Sequence, residues 1–182
     1  MQSGSTHAIP WTGACGRLPA IARHARRMAA LLAFTLLPVH AAEPDLLEPE
    51  RAFAFSARGL DPQTVEVRFD VAEGYYLYRD KLRFTVQPGR LAAPAALPAG
   101  RMKQDEFFGR VETYRGELVV HLALAQGQPG ATIAVTAESQ GCADVGVCYP
   151  PQAQTVSVPL PRQGAGPGVP VHAVPPRKSW FN

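Results

Sequence analysis

Strict alternation of apolar and polar residues is the feature that most constrains what this chain can fold into. Residues 64–71, TVEVRFDV, alternate without a fault, as a strand does when one face is buried and the other is wet. Residues 117–124 repeat the pattern with Leu118, Val120, Leu122 and Leu124 on one face. Residues 131–138 do so with Ile133, Val135 and Ala137, and residues 154–160 with Val156, Val158 and Leu160. Shorter candidates lie at 52–56, 75–79 and 82–87, and turn chemistry separates the runs at 59–62, 73–74, 88–89, 115–116 and 127–130. Nothing beyond residue 41 sustains a 3.6-residue period. Short strands at this spacing predict an all-β, immunoglobulin-like antiparallel β-sandwich, with a small closed barrel as the competing arrangement. Residues 92–100, AAPAALPAG, read as a loop or a poor edge strand.

The two ends have a different character. Arg17, Arg23, Arg26 and Arg27 precede the apolar run MAALLAFTLL at 28–37, and Val39 and Ala41 then put small residues at the −3 and −1 positions of a cleavage site. Basic, apolar and small-residue segments in that order predict a secretory signal peptide over 1–41, cleaved at or next to Ala42. A membrane helix needs about 20 apolar residues, and Pro38 and His40 end this run at half that length. The mature product is therefore expected to be exported, periplasmic and soluble, with no membrane span. Of the 18 basic and 15 acidic residues, the first 41 positions hold four Arg and no acid, so the net charge of +3 belongs to the leader. No basic patch survives in the remainder, so nucleic-acid binding is not expected. The folded domain is expected over 42–160. Beyond it, 161–182 is Pro- and Gly-rich and predicts a flexible tail, ending in Trp180, Phe181 and Asn182.

Export changes how the cysteines read. Cys15 leaves with the leader, and Cys142 and Cys148 remain as an even pair in an oxidising compartment. They flank Asp144, Val145 and Gly146, which is turn material, so they fall on opposite arms of a hairpin-like loop. Opposed strand positions lie about 4.5–5.5 Å apart, within the range a disulfide accepts. So short a loop stabilises the fold by only about 2.3 kcal/mol. Spacing alone leaves an inert staple and a redox pair equally open. Metal binding is a third reading, but two thiolates are not a site, and His121, Met102 and His172 are tied to them by no motif. No metal or other cofactor is expected.

Two further segments stand out. Residues 75–78 hold Tyr75, Tyr76 and Tyr78, and alternation puts Tyr76 and Tyr78 on one face and Tyr75 on the other; ordinary aromatic core is the commoner fate of such residues. Asp105, Glu106, Phe107, Phe108 and Gly109 place two acids and two rings in a loop closed by Gly. Such rings either fold onto the body or cover something, and such acids are commonly a solvated turn.

The strings GCADVGVCYPP, GYYLYRDK and DEFFGRVETYRGEL closely resemble segments of the N-terminal periplasmic domain family of the thiol:disulfide interchange protein DsbD, over residues 51–160. The resemblance implies an immunoglobulin-like sandwich whose two cysteines cycle between dithiol and disulfide. It implies electrons arriving from a thioredoxin-like donor, either a DsbD C-terminal-like domain or a separate protein. They would leave to oxidised periplasmic acceptors such as disulfide isomerases and cytochrome c maturation thioredoxins. By the same resemblance Cys148 takes the attack and Cys142 is the leaving and resolving thiol. Asp105–Gly109 forms a cap with Phe107 over the sulfurs and Gly109 as its pivot, and Tyr76 and Tyr78 line the cysteine site. Asp105 and Glu106, if near the sulfurs, disfavour a thiolate there. Phe108 departs from the family's pattern, standing where a Tyr is expected. The family's usual protein also continues into a membrane domain and a thioredoxin-like domain. The other reading is a binding or chaperone-like sandwich with a structural disulfide.

Overall fold

The computed structural model describes residues 45–174. The expected leader with its Cys15, the cleavage site, and the terminal Trp180 and Phe181 lie outside the described residues. One turn of helix, α1 (Pro49–Ala52), opens with Pro in its first turn, where the missing N–H costs nothing. It runs directly into β1 (Phe53–Asp61), which pairs antiparallel with β2 (Thr64–Val71). Next come β3 (Tyr75–Tyr78), a single 3-10 turn over Arg79–Lys81, β4 (Arg83–Gln87), β5 (Arg101–Asp105), β6 (Gly109–Tyr114) and β7 (Gly116–Ala123). β8 (Thr132–Ser139), β9 (Gly141–Ala143), β10 (Gln152–Pro159) and the two-residue β11 (Val171–His172) complete the order.

The strands form three antiparallel sheets, in the orders β11-β1-β2-β7, β10-β8-β4 and β5-β6-β3-β9. The first two bury the alternating faces that the sequence marks. Val65, Val67 and Phe69 from β2, Leu118, Val120 and Leu122 from β7, Ile133 and Val135 from β8, and Val156 and Val158 from β10 share one core. Gln154 stitches the two sheets by donating to the Phe53 carbonyl at 2.8 Å across that core. The result is an antiparallel, immunoglobulin-like sandwich. The third sheet continues from β3 at one end and carries the cysteine hairpin.

Three features depart from the sequence-based expectation. The turn expected at 59–62 falls at its end, on Pro62 and Gln63, with strand as far as Asp61; Gly59 lies within β1, where a Cβ would stand 2.6 Å from the Pro161 ring. β5 and β6 were not expected, since RMKQD buries only its last residue and presents no apolar face for periodicity to find. Finally, part of the Pro- and Gly-rich stretch returns to the fold. Val171 and His172 pair with Ala57 and Ser56, while Gly168 donates to the Gly59 carbonyl and Ala173 to that of Phe55. The free edge of β1 offers backbone partners that composition cannot reveal. Among the described residues no helix is long and apolar enough to cross a membrane.

Candidate functional site

All four residues of β3 are buried, and alternation sends them to two different places. Tyr75 and Leu77 join the main core, while Tyr76 and Tyr78 form a second cluster with Cys142, bordered by Val111 and Cys148. β9 lies beside β3 with Cys142 opposite Tyr76. Gly141 permits that approach. A Cβ there would sit 2.3 Å from the Tyr76 carbonyl oxygen and 2.6 Å from the Phe53 ring, so no larger residue fits.

Cys142 and Cys148 face each other across the hairpin, 3.9 Å apart at Cα, and their sulfurs are bonded. The two are not equivalent. Cys142 is fully buried and Cys148 only half-buried. Between them, residues 144–147 are exposed. Arg115 anchors this tip, donating through Nη1 to Asp144 Oδ2 at 2.8 Å and to the Tyr75 carbonyl at 3.2 Å. That guanidinium holds the Asp144 carboxyl below the ordinary carboxylate range and is itself pushed up by the pair.

Asp105 is the hub on the opposite side. It ends β5, and its side chain is almost wholly buried. Its Oδ2 accepts from the hydroxyls of Tyr76 at 2.7 Å and Tyr78 at 2.8 Å. Its Oδ1 accepts from the backbone N–H groups of Phe107 and Phe108, at 2.9 and 3.1 Å, which folds the 105–109 loop around it as an Asx turn. Burial alone would raise this carboxyl, but the four hydrogen bonds together outweigh it and bring it down to about 2. The same site drives Tyr76 up to about 12, through burial first and the Asp105 contact second, and Tyr78 higher still. Both tyrosines therefore remain proton donors to a group that is carboxylate at neutral pH.

Tyr78 carries this network to the sulfurs, its hydroxyl oxygen lying 3.0 Å from Cys142 Sγ and 3.8 Å from Cys148 Sγ. The Phe108 ring packs edge-on against Tyr78 at 5.1 Å between centroids, with Lys81 Nζ 4.8 Å above it. Lys103 Nζ and the Arg115 guanidinium lie 4.7 and 5.1 Å from the centre of the Tyr76 ring. A cleft of about 100 Å³ runs between the 105–109 loop and the hairpin tip, with Asp105 and Phe107 on one bank and Ala143 and Gly146 on the other.

The structure thus brings Cys142, Cys148, Tyr76, Tyr78 and Asp105 into one connected site, with Phe108 against it. Phe107 is 61% exposed and meets the network through its backbone N–H; Glu106 is exposed and Gly109 turns the chain at φ 72°. The sequence reading did not single out Val111, Lys103 or the Arg115–Asp144 tether. Asp144 and Arg115 both read as turn material, and Lys103 stands on β5, a strand without an apolar pattern. Among the described residues, no three His, Cys, Asp or Glu side chains are grouped so as to hold a metal. Of the seven exposed large apolar side chains there, four lie on the two loops of this site: Phe107 and Phe108 on the 105–109 loop, and Val145 and Val147 on the hairpin tip.

Residues 43–160 match the family described as the N-terminal domain of the thiol:disulfide interchange protein DsbD. The chain is 44% identical over 145 residues to the thiol:disulfide interchange protein DsbD of Ralstonia nicotianae, an alignment covering 78% of this chain and 23% of that protein. It therefore spans under a quarter of that relative's length. Its fold is similar to the crystal structure of the Neisseria meningitidis DsbD N-terminal domain in the reduced form. That match has a TM-score of 0.60 at 34% identity, covering 71% of this chain and 97% of that one. A second match is to a structure of the complex between the DsbD and PilB N-terminal domains of the same organism, with a TM-score of 0.53 at 36% identity, covering 62% and 87%.

Proposed function

This chain belongs to the DsbD N-terminal domain family, and we propose from that premise that it is a periplasmic electron carrier working by thiol–disulfide exchange through Cys142 and Cys148. The observation that carries the reading is the asymmetry of the pair: one sulfur sealed against Tyr78, the other half-open at a rim of exposed apolar side chains.

A thiolate of a thioredoxin-like donor attacks Cys148 Sγ in line with the S–S bond. That bond breaks, Cys142 leaves with the electron pair and takes up a proton, and a mixed disulfide links Cys148 to the donor. The donor's second thiolate then attacks its own bridged sulfur and releases Cys148, leaving this chain as the dithiol and the donor oxidised. In the second half-cycle Cys148 attacks an oxidised periplasmic protein, and Cys142 resolves the new mixed disulfide. Disulfide isomerases and the thioredoxins of cytochrome c maturation are the acceptors that fit.

Asp105, Tyr76 and Tyr78 hold the site closed. A carboxylate this near opposes a second negative charge on sulfur, which keeps the dithiol from reacting wastefully with small oxidants. Phe107 and Phe108 on the 105–109 loop act as its cover, and docking of a partner on the apolar rim displaces them. The half-open Cys148 would be an odd choice for a mere staple, since a short bridge does its work equally well when sealed. Trapping of a mixed disulfide on Cys148 is the direct test.

A further inference from the structure

The residue after Cys148 is held more firmly than its place beside an exposed hairpin tip requires. The Tyr149 ring meets Phe53 edge-on at 5.6 Å between centroids and Tyr75 at 6.2 Å, and Phe53 meets Tyr75 at 6.0 Å. The Tyr149 hydroxyl donates to the Leu47 carbonyl at 2.6 Å, while the Leu47 N–H donates to the Tyr75 hydroxyl at 2.9 Å. Two tyrosines thus grip one residue of the segment preceding α1, and Leu47 itself packs half-buried on the core. The backbone is pinned as well. The Tyr149 N–H donates to the Gly141 carbonyl at 3.0 Å, and Gln140 Nε2 donates to the Tyr149 carbonyl at 3.2 Å. The ring contacts and hydrogen bonds of Tyr149 close directly on the arm that carries Cys148, those of Tyr75 with Phe53 and Leu47 brace them from behind, and the exchange chemistry uses none of them.

We propose that the Tyr149–Leu47–Tyr75 clasp is a positioning device that sets the balance between disulfide and dithiol; this rests on the carrier reading above. In the disulfide, the S–S bond itself keeps the two arms together. In the dithiol only non-covalent contacts do so, and an unclasped arm would gain conformational freedom. The clasp withholds that gain. It keeps Cys148 within reach of Cys142 after reduction, favours the disulfide over the dithiol, and speeds reclosure. Tyr149 is a positioning residue here, acting through the backbone on Cys148.

The test is equilibration with glutathione buffers of graded ratio, in which the S–S bond breaks, two thiols form, and two glutathiones are joined by their own disulfide. Tyr149→Phe keeps the ring and removes the donor to Leu47; Tyr75→Phe removes the acceptor of the Leu47 N–H. Each is expected to shift the equilibrium constant about fivefold towards the dithiol and to slow reoxidation. Tyr114→Phe is the control, because its hydroxyl also donates to a backbone carbonyl, that of Pro98 at 2.5 Å, without touching the Cys148 arm. It should lower the thermal midpoint and leave the equilibrium constant alone, the result that Tyr149→Phe and Tyr75→Phe would also give if the clasp served general stability alone. Should Tyr149→Phe not fold, Tyr75→Phe decides. A wild-type chain that titrates normally while both clasp variants titrate with it, or a Tyr114→Phe shift of equal size, overturns the clasp and leaves the carrier reading standing. A wild-type chain with no reversible titration overturns both.

Discussion

The Tyr78 hydroxyl touches Cys142 Sγ at 3.0 Å while spending its single proton on Asp105. Towards the sulfur it therefore presents lone pairs, which suit a neutral thiol and repel a thiolate. Asp105 lies one hydroxyl further off, so its charge is felt across roughly 6 Å of largely dry protein; at an effective dielectric of about 20 that is worth on the order of 2–3 kcal/mol before screening. Asp105→Asn removes the charge and is expected to raise the alkylation rate of the reduced pair about tenfold at neutral pH. Iodoacetamide kinetics on the wild type and the variant measure it. Equal rates would mean that Asp105 organises the loop without tuning the sulfurs.

The same carboxylate predicts an acid limb in stability. Asp105 sits at about 2 in the fold, below the ordinary carboxylate value near 4. A depressed group stabilises above its unfolded value and loses that contribution as pH falls through its folded one, so the window is about pH 4 down to pH 2. On the order of 2 kcal/mol should disappear across it, and Asp105→Asn should flatten the limb. Urea midpoints at pH 5, 4, 3 and 2 read this directly. An unchanged slope in the variant would assign the acid sensitivity to other carboxylates, such as Glu66 beside Arg58.

Reduction should leave the fold intact. The core of Val65, Val67, Phe69, Leu118, Val135 and Val156 owes nothing to the sulfurs, and the bridge contributes only about 2.3 kcal/mol by loop-closure arithmetic. Circular dichroism beside thiol alkylation, across graded glutathione buffers, should show the dithiol appearing with no loss of β-structure. Parallel loss of both signals would favour the staple.

The sandwich was legible because its strands are wet on one side, so β2, β7, β8 and β10 each announce their buried face by alternation. The part of the site drawn from such strands was legible for the same reason: alternation alone divides the tyrosines of residues 75–78 between two faces. The partnership with Asp105 was not. β5 has no apolar face, and an acid beside Gly109 has the composition of a solvated turn; only pairing with β6 carries Asp105 inward to two hydroxyls 27 and 29 residues away in sequence. The clasp was hidden similarly, since Tyr149 and Leu47 are 102 residues apart. Gly59 misled in the opposite sense, because a glycine needed for close packing looks the same in sequence as one needed for a turn.

The proposal that Phe107 and Phe108 cover the sulfurs predicts a split between reactivity and stability. Phe107 is 61% exposed, so its removal should change stability by no more than about 0.5 kcal/mol. If its ring screens Cys148 from solvent reagents, Phe107→Ala should speed alkylation of the dithiol several-fold. Phe108→Ala should do so too, at a larger cost, because Phe108 packs on Tyr78. Unchanged rates in both variants would remove the cover from the mechanism.

The two cysteines should behave differently when each is left alone. Cys142 is sealed beneath Tyr76 and Tyr78 on a strand paired with β3, whereas Cys148 is half-buried and followed by Tyr149, Pro150 and Pro151. Neither proline has an N–H to give a neighbouring strand, so that arm stays available to a docking chain. Val145 and Val147, on the tip that joins the two cysteines, are exposed on the same loop. Cys142→Ser therefore leaves a live Cys148 with no resolving partner, and a mixed disulfide with a thioredoxin-like protein should accumulate. Cys148→Ser leaves only the sealed sulfur and should trap little. Non-reducing gels of periplasmic extract, with mass spectrometry of the shifted band, distinguish the two. Trapping by Cys148→Ser instead would reverse the roles assigned here, because it would require a partner to reach beneath the tyrosines. Trapping by neither would leave the half-open sulfur without a function, and with it the carrier reading without its principal support.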